Sequence, residues 1–446
     1  MEMSVRLLLP EIITCVAGLL ILCERLVMRG DPERKGAAWF GAGAVAVAAI
    51  AAVKLLGVNV TAFYGSYRVD DLAVYFKIIA AVAAGLTLLF APDLLVQQRV
   101  KSGDFAAVVL FGAAGMMLLP SALDFITLFI SLELISVSFY VLIAIQRGEV
   151  RPVEAGLKYL LLSGLASAVL LYGMSLIYGL TGSTYLVAIR QAFSSGEWSI
   201  LAAVGSLLIL CGLGLKIYLV PFHMWAPDVY EGAPAPTVAF LASGSSAAAL
   251  AAVLRLFGES LVGLSGVWVP ILVILALITV AIGNLVALPQ TNIKRLLAYS
   301  SIAHAGYILT ALVPYAQAAL SRDVVASALF YLLAYAFTTF GAWAVVIALE
   351  KSEGKGLAIS DYAGLARRHP ALAAAMTVFM LSLTGIPPTL GFVGKFYLFR
   401  TVIEGGFIDL ALIGVITSLI SAYYYLRVVV VMYMWDGAPE AHREVW

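Results

Sequence analysis

Ionisable side chains inside long apolar segments are the residues of this sequence most able to do chemistry. Glu133 lies near the middle of one such segment, Lys216 and Lys395 lie deep in two others, and His304 lies in a fourth. An ionisable group at the centre of a membrane helix costs about 2.5–3.5 kcal/mol on insertion scales. Because acidic, basic and imidazole groups joined by water can pass protons, these residues predict a proton relay within a membrane.

Glu154 and Lys158 are further candidates, because their i, i+4 spacing places them on one helix face where they can form an ion pair. Two opposite charges about 6 Å apart interact by roughly 2.8 kcal/mol at an effective dielectric constant of about 20. That energy corresponds to about two pKa units. Making or breaking such a pair can therefore switch a buried lysine between holding and releasing a proton.

Two of the apolar segments are interrupted by proline and glycine, over 214–223 and 384–395. Proline breaks or kinks a helix, and backbone groups freed in a bilayer must line a cavity or be buried in protein. Because Lys216 and Lys395 stand beside the interruptions, the pattern predicts repeated transporter halves with a site near the midplane. Simpler roles stay open: a packing kink, a lysine that caps half-helix carbonyls, and, for His304, a hydrogen bond between helices.

Other polar residues near the segment ends have simpler expected roles. Four basic residues are expected to extend toward the membrane surface: Lys54, Lys77, Arg255 and Arg427. The Pro/Gly-rich stretch after His223 is expected to be a loop that serves as a gate, a docking surface or a plain turn, and it contains Asp228, Tyr230 and Glu231.

The composition excludes a soluble globular protein and a disordered chain. Of 446 residues, 63% are hydrophobic and 12% are charged, against about 45–50% and about 25% in soluble domains. Continuous apolar segments indicate membrane helices rather than a barrel. A net charge of +1 gives no nucleic-acid signature, and the three cysteines show no metal-ligand or disulfide spacing. Phosphate-loop, dinucleotide and nucleophile motifs are also missing from the sequence.

The sequence therefore predicts an all-α polytopic membrane protein. Thirteen apolar segments have about the length that spans a bilayer, roughly 5–28, 37–56, 74–95, 104–121, 124–145, 155–180, 197–219, 236–257, 264–287, 295–314, 322–349, 370–399 and 407–434. The first has no small-residue cleavage site after it and is expected to be retained. Because the linkers are short, soluble chemistry is expected from partner subunits.

Basic residues concentrate in alternate loops, which predicts the orientation. The expected cytoplasmic set is Arg25, Arg29, Arg34, Lys35, Arg99, Lys101, Arg147, Arg151, Lys294, Arg295, Lys351, Lys355, Arg367 and Arg368. The opposite set is Arg6, Arg68, Arg190, Arg322 and Arg400. The N-terminus is thus expected outside, and thirteen helices would place the C-terminus in the cytoplasm.

Long motifs resemble the antiporter-like membrane subunits of respiratory complex I, the proton-translocating NADH-quinone oxidoreductase, and the subunit N family most closely. The motifs are VPFHMWAPDVYEGAP over 220–234, QTNIKRLLAYSSIAHAGY over 290–307, Glu154 to Lys158 with the following Tyr-Leu-Leu, and LTGIPP over 383–388 through Gly394-Lys395-Phe396. The resemblance covers about 120–430.

The resemblance implies a single membrane domain over 1–446, with N-terminal helices in 1–103 and two inverted five-helix repeats in 104–258 and 264–434, each with a broken helix. It implies that Glu133 and Lys216 form the charged pair of one half-channel and that Lys395 lies on the exit side. It also implies a bacterial inner-membrane complex with sister antiporter-like subunits and lipids as neighbours. NADH, flavin, iron–sulfur clusters and quinone would lie in partner subunits, with no cofactor or metal in this chain.

Two departures from the family pattern matter. The eighth helix of family members usually carries a lysine where this sequence has Ser246, and serine cannot hold a proton as a stable charge. A relay between Lys216 and Lys395 would then depend on His304, water and hydroxyl groups. The family also usually has a fourteenth helix, which we expect to be absent from this polypeptide or lost by truncation.

Two other functions remain open from the sequence. One is a subunit of a multi-subunit cation/proton antiporter, which needs no redox partner. The other is a structural subunit of the membrane arm that no longer pumps because Ser246 interrupts the relay. The coupled ion, proton or sodium, and the electron donor also stay open.

The predicted orientation can be checked by cysteine labelling of the full chain in cells. In a background whose native cysteines are replaced by serine, Lys101→Cys should react only with a reagent that reaches the cytoplasm. Arg190→Cys should react with a membrane-impermeant reagent added outside. The reverse pattern would contradict the orientation.

Overall fold

A computed structural model describes residues 2–27, 35–146, 148–196, 198–316, 321–350, 356–437 and 439. Nearly all of this part of the chain is helical. In chain order the α-helices are α1 (Glu2–Leu7), α2 (Leu9–Val27), α3 (Gly36–Val53), α4 (Asp71–Phe90), α5 (Pro92–Gln97), α6 (Ser102–Leu118), α7 (Phe125–Ile143), α8 (Val150–Thr181), α9 (Leu186–Ala192), α10 (Ile200–Lys216), α11 (Trp225–Gly232), α12 (Ala235–Phe240), α13 (Ser246–Val253), α14 (Ser265–Ala287), α15 (Ile293–Leu312), α16 (Ser321–Leu349), α17 (Leu365–Arg368), α18 (Pro370–Thr384), α19 (Leu390–Glu404) and α20 (Ile408–Met434). Two π-helical turns, Leu241–Ser245 and Leu254–Ser260, extend α12 and α13 into one continuous helix.

The all-α membrane fold predicted from the apolar segments is confirmed. Among the described residues, ten helices are long and apolar enough to cross a membrane, and α10 and α18 are shorter apolar helices. Each of the thirteen predicted segments coincides with one continuous helix, except 5–28 (α1 and α2), 74–95 (α4 and α5) and 370–399 (α18 and α19). Thirteen crossings and the inverted repeats are consistent with these helices and stay predictions.

The chain divides into two compact units. The first consists of Met1–Lys216 and Gly232–Trp268, and the second of Ile217–Glu231 and Val269–Trp446. The division falls at the first interruption, so the segment after Lys216 packs with the second half of the chain. The sequence-based boundaries of the repeats, 104–258 and 264–434, stay a prediction.

The first interruption ends α10 at Lys216. The backbone N–H of Val220 donates to the hydroxyl of Thr279 (3.0 Å), which satisfies one of the groups that the break leaves free. The expected loop over Asp228–Glu231 is wrong, because these residues lie in α11. Its Pro227 occupies the first turn of that helix, where a proline removes no hydrogen bond.

The second interruption separates α18 from α19. Gly385 ends α18 with a φ of +89°, a conformation that glycine adopts without strain. The side chain of Thr389 caps the start of α19. The N–H of Gly391 donates to the hydroxyl of Ser382 (3.1 Å), so the start of α19 lies directly against the end of α18.

A small β-hairpin in the first unit was not predicted from the sequence. Strand β1 (Val60–Ala62) pairs antiparallel with β2 (Tyr67–Val69), and the N–H of Leu123 donates to Ser66 (2.8 Å). The hairpin fills the linker between α3 and α4. Its Tyr67 and Val69 pack with Leu7 and Val74 in a hydrophobic cluster.

Two basic residues that were expected to extend toward the membrane surface are buried instead. Lys77 is 0% exposed and Arg255 is 1% exposed. Lys77 forms an ion pair with Glu11, and Arg255 pairs with Asp70 and Glu259. The prediction was wrong because Glu11 and Asp70 lie on other elements, where sequence spacing does not reveal them, whereas Glu259 lies four residues after Arg255 on the same helix. Lys54 is exposed, as expected, and Arg427 donates to the backbone oxygens of Leu288 and Gln290.

Gly391 gives a test of the close packing at the second break. A Cβ atom at this position would lie 1.8 Å from the carbonyl oxygen of Ser382. We expect Gly391→Ala to lower the free energy of unfolding by about 1–3 kcal/mol, because the backbone must shift. The measurement is the thermal midpoint of the detergent-solubilised chain.

The matched control is Gly85→Ala in α4, where the added Cβ atom meets nothing within 4 Å. Alanine also has the higher helix propensity there, so the midpoint should stay or rise slightly. Equal midpoints for the two variants would contradict the close contact at Gly391.

Candidate proton-transfer site

Lys216 is held in the first unit by hydroxyl groups. It is the last residue of α10 and is 7% exposed. Its ammonium donates to the hydroxyl of Ser136 on α7 (2.7 Å) and to that of Ser163 on α8. Neither partner carries a charge, so these hydrogen bonds hold the lysine without fixing it in its protonated form.

Glu133 lies one helical turn before Ser136 on α7, partly buried. Its Oε1 accepts a hydrogen bond from Ser167 (2.5 Å), which lies one turn beyond Ser163 on α8. Glu133 also interacts electrostatically with Lys216. Serine hydroxyls of α7 and α8 therefore contact both charged groups, and a hydroxyl can both accept and donate a hydrogen bond.

Lys395 is held in the second unit by a different set of atoms. Its ammonium donates to the carbonyl oxygens of Leu383 (3.0 Å) and Thr384 (2.9 Å) and to the hydroxyl of Ser418 (2.8 Å). It also lies 5.0 Å from the ring centroid of Tyr307, a cation–π contact. Lys395 therefore caps the carbonyls at the end of α18, which is the alternative role that the sequence left open.

His304 lies in an aromatic cluster of the second unit. One ring nitrogen, Nδ1, bonds to the hydroxyl of Tyr331 on α16, and Nε2 bonds to that of Tyr425 on α20 (3.1 Å). The histidine is thus a hydrogen-bonded link between three helices, and Lys395 acts on it electrostatically. Tyr307, one turn further along α15, touches both His304 and Lys395 with its ring.

Glu154 and Lys158 form the predicted ion pair on α8. Their charged groups are 2.9 Å apart, and their side chains are 58% and 43% exposed. The structure therefore places this pair on the outer face of α8. Such an exposed pair contributes little to stability in water.

Ser246 stands where the resembled family carries a lysine. It directly follows the π-helical turn Leu241–Ser245, and its hydroxyl donates to the carbonyl oxygen of Ala242 (2.5 Å). π-Helical turns occur often at functional sites. The serine hydroxyl is nevertheless engaged within its own helix.

A second set of ion-paired charges, some of them buried, escaped the sequence analysis. Lys294 and Arg295 were counted as loop residues, yet they begin α15, which Asn292 caps. Lys294 is 1% exposed and pairs with the buried Glu350. Arg295 pairs with Asp228 and with Glu231, each at 2.9 Å. The asparagine cap directly before an apolar run was the available sequence signal.

No metal centre is found within the described ranges, where no three His, Cys, Asp or Glu residues are placed to hold an ion. Among the basic residues that the sequence assigned to cytoplasmic loops, Lys35 is paired with Asp93. Five others lie outside the described residues: Arg29, Arg34, Arg147, Lys351 and Lys355.

The candidate site thus consists of buried lysines, hydroxyl groups and an imidazole, arranged in two groups.

The family model described as NADH:quinone oxidoreductase/Mrp antiporter, TM, matches residues 122–421. The NADH-quinone oxidoreductase subunit N of Trichlorobacter lovleyi is 42% identical over 440 residues, which are 98% of this chain and 89% of that protein.

Solved structures agree with this match. A chain of respiratory complex I from Thermus thermophilus with bound aureothin has a TM-score of 0.82 and 34% identity, covering 97% of this chain and 92% of that chain. A chain of the Mrp complex from Dietzia sp. has a TM-score of 0.84 and 23% identity, covering 99% and 82%, and shows the same fold. The matched family model and the 42% identity over nearly the full length show that this chain belongs to the NADH:quinone oxidoreductase/Mrp antiporter membrane family, in its subunit N branch.

Proposed function

We propose that this chain is a membrane-arm subunit of an NADH-quinone oxidoreductase and conducts protons through two groups of residues. The first group is Glu133 and Lys216, and the second is Lys395 with His304. The observation that carries the proposal is the setting of the two lysines. Each is buried in an apolar helical protein and is held by neutral oxygen atoms, so each can exchange a proton without breaking a hydrogen-bonded ion pair.

The serine hydroxyls and the nearby carboxylate give the first group its chemistry. When Glu133 is charged, its electrostatic interaction stabilises the ammonium form of Lys216. When that interaction weakens, Lys216 releases its proton, and the hydroxyls of Ser136 and Ser163 offer it an acceptor path. Moving one charge through 100 mV costs about 2.3 kcal/mol, so an external driver is required.

That driver is proposed to lie in other subunits. The relatives are named as NADH-quinone oxidoreductase subunits, and one solved relative is part of a respiratory complex I. We propose that NADH, flavin, iron–sulfur clusters and quinone bind in partner subunits and that sister antiporter-like subunits lie beside this chain. The exposed pair Glu154 and Lys158 would then belong to a surface that meets a neighbouring subunit. We propose that the complex lies in the bacterial inner membrane with the N-terminus of this chain outside.

A non-pumping structural subunit is the second candidate, favoured by one observation. Ser246 replaces a chargeable residue, and its hydroxyl is bonded to its own helix. A cation/proton antiporter is less favoured, because the Mrp chain shares 23% identity against 42% for the subunit N relative.

The substitution Glu133→Gln distinguishes a proton-pumping subunit from a purely structural one. The substitution keeps an oxygen that can accept the hydrogen bond from Ser167 and removes the charge, so the ammonium form of Lys216 loses the electrostatic stabilisation that Glu133 provides. In the complex reconstituted in vesicles, we expect fewer protons pumped per electron pair with normal assembly.

Glu404→Gln is the matched control, because Glu404 pairs with Arg400 on the exposed face of α19. It should leave the stoichiometry unchanged. An unchanged stoichiometry in Glu133→Gln, with normal assembly, would support the structural subunit and contradict the pump.

Two substitutions are needed to test Lys395, because this residue both caps the carbonyl groups at the end of α18 and is proposed to carry protons. Lys395→Arg keeps the charge and the donors but does not release its proton at physiological pH. Assembly should therefore persist while proton pumping falls at least tenfold. Lys395→Met should lower stability by about 1–3 kcal/mol, since two buried carbonyls lose their donor.

The two readouts are the yield of assembled complex and the rate of vesicle acidification at equal NADH oxidation. Full pumping in Lys395→Arg would mean that Lys395 serves only as a cap.

A further inference from the structure

A buried amide lies in the strongly apolar helix α14, within the second unit. Asn284 is 0% exposed, and its Nδ2 donates to the carbonyl oxygen of Val280 (2.8 Å) and to the hydroxyl of Tyr307 on α15 (3.0 Å). Its Oδ1 accepts a hydrogen bond from the hydroxyl of Tyr424 on α20 (3.0 Å). Both polar atoms of the amide are thus engaged, and a satisfied buried polar group of this kind holds its partners in one arrangement.

Two glycine residues bring α14 and α15 together at this level. A Cβ atom at Gly283 or at Gly306 would lie 2.6 Å from an atom of the facing helix. Non-bonded carbon atoms pack at about 3.5–4.0 Å, so a larger residue at either position would push the two helices apart. Asn284 and Tyr307 each directly follow one of these glycines. The close approach of the helices therefore places the amide within hydrogen-bond reach of the tyrosine.

Tyr307 is held on both sides of its hydroxyl group. The hydroxyl accepts a hydrogen bond from Asn284 and donates one to Thr417 on α20 (3.4 Å). Its ring makes the cation–π contact with the ammonium of Lys395, and it forms a T-shaped contact with His304, with ring centroids 5.9 Å apart. The two hydrogen bonds therefore fix the ring that contacts both members of the second proton-transfer group.

The ring of Tyr307 favours the charged form of Lys395, because the face of an aromatic ring attracts a cation. The other described partners of the ammonium are neutral oxygen atoms of α18 and α20. The described titratable groups around the ammonium are Tyr307 and His304 of α15, and Tyr331 of α16 is bonded to His304. The placement of the Tyr307 ring can therefore adjust how tightly Lys395 holds a proton.

We propose that Asn284 is a positioning residue for the second proton-transfer group. It orients Tyr307 so that the ring faces the ammonium of Lys395, and it thereby sets the pH range over which Lys395 exchanges protons. Asn284 acts through Tyr307 and carries no proton itself. This inference rests on the proposed function, and it adds a residue that lies outside the long sequence motifs.

The pH profile of proton pumping by the complex reconstituted in vesicles tests this role. Asn284→Leu keeps roughly the volume of the side chain and removes the hydrogen bond to Tyr307. The ring then loses its fixed place over the ammonium, which holds its proton less tightly. We expect the alkaline limit of pumping, measured as protons per electron pair, to move to lower pH by roughly 0.5–1 unit.

Tyr307→Phe removes the same hydrogen bond from the other side and keeps the ring, so it should move the limit by a similar amount. The double variant should shift the limit no further than Asn284→Leu alone, because both substitutions remove one shared contact. A double shift equal to the sum of the single shifts would overturn the proposal, and so would an unshifted profile in Asn284→Leu. If Asn284→Leu does not assemble, an unshifted profile in Tyr307→Phe overturns it.

Tyr362→Phe is the matched control. Tyr362 is fully buried, and its hydroxyl has no hydrogen-bond partner among the described residues. The substitution should keep the native pH profile, and a shift as large as that of Tyr307→Phe would also overturn the proposal. Failure of the proposed function is seen separately, as full pumping in Lys395→Arg. An unshifted Asn284→Leu profile beside an inactive Lys395→Arg contradicts the positioning role alone.

Discussion

Inside a hydrocarbon layer, a charge or a free backbone group must find its hydrogen-bond partner within the protein, because no water is there to supply one. The second break shows how this chain meets the constraint. The end of α18 leaves carbonyl groups without helical partners, and the ammonium of Lys395 donates to those of Leu383 and Thr384. The break supplies acceptors and the lysine supplies donors, so each makes the other tolerable in an apolar setting.

The two lysines beside the breaks are chemically different, although the sequence presents them alike. Lys216 is held by serine hydroxyls and interacts with a carboxylate, Glu133. Lys395 is held mainly by backbone carbonyls beside the ring of Tyr307. Hydroxyl groups can both give and take a proton, whereas carbonyl groups only accept hydrogen bonds. Rotation of the serine hydroxyls can therefore assist the proposed proton exchange at Lys216. At Lys395 most of the hydrogen-bond partners are backbone carbonyls, which cannot assist it in this way.

Buried charge in this protein is divided between arginine and lysine, and the division has a physical meaning. Arg255 and Arg68 bind Asp70 and Glu259, and arginine keeps its positive charge in proteins. Lys77, Lys216, Lys294 and Lys395 are buried as well, and lysine is the basic residue that can become neutral. Ser246 belongs to neither group, because it is polar but carries no charge. It lies beside a π-helical turn, and its role is the point on which the proposed pumping function and the alternative structural function differ most.

The sequence by itself determined the features that depend on neighbours along the chain. The apolar segments coincide with helices, proline and glycine locate both breaks, and the i, i+4 spacing of Glu154 and Lys158 gives their ion pair. Those features are local, because helix periodicity and proline geometry act within one or two turns. The motifs also identified the family, since they are long.

Only the tertiary structure decided which buried group meets which partner. Lys77 and Arg255 were expected at the membrane surface, yet Glu11, which pairs with Lys77, and Asp70, one of the two partners of Arg255, lie on other elements, 66 and 185 residues away. The same holds for the hairpin, and for Ser163 and Ser136, which hold Lys216. Such pairs form because helix packing brings distant side chains into a space that excludes water, and no spacing along the chain records that packing.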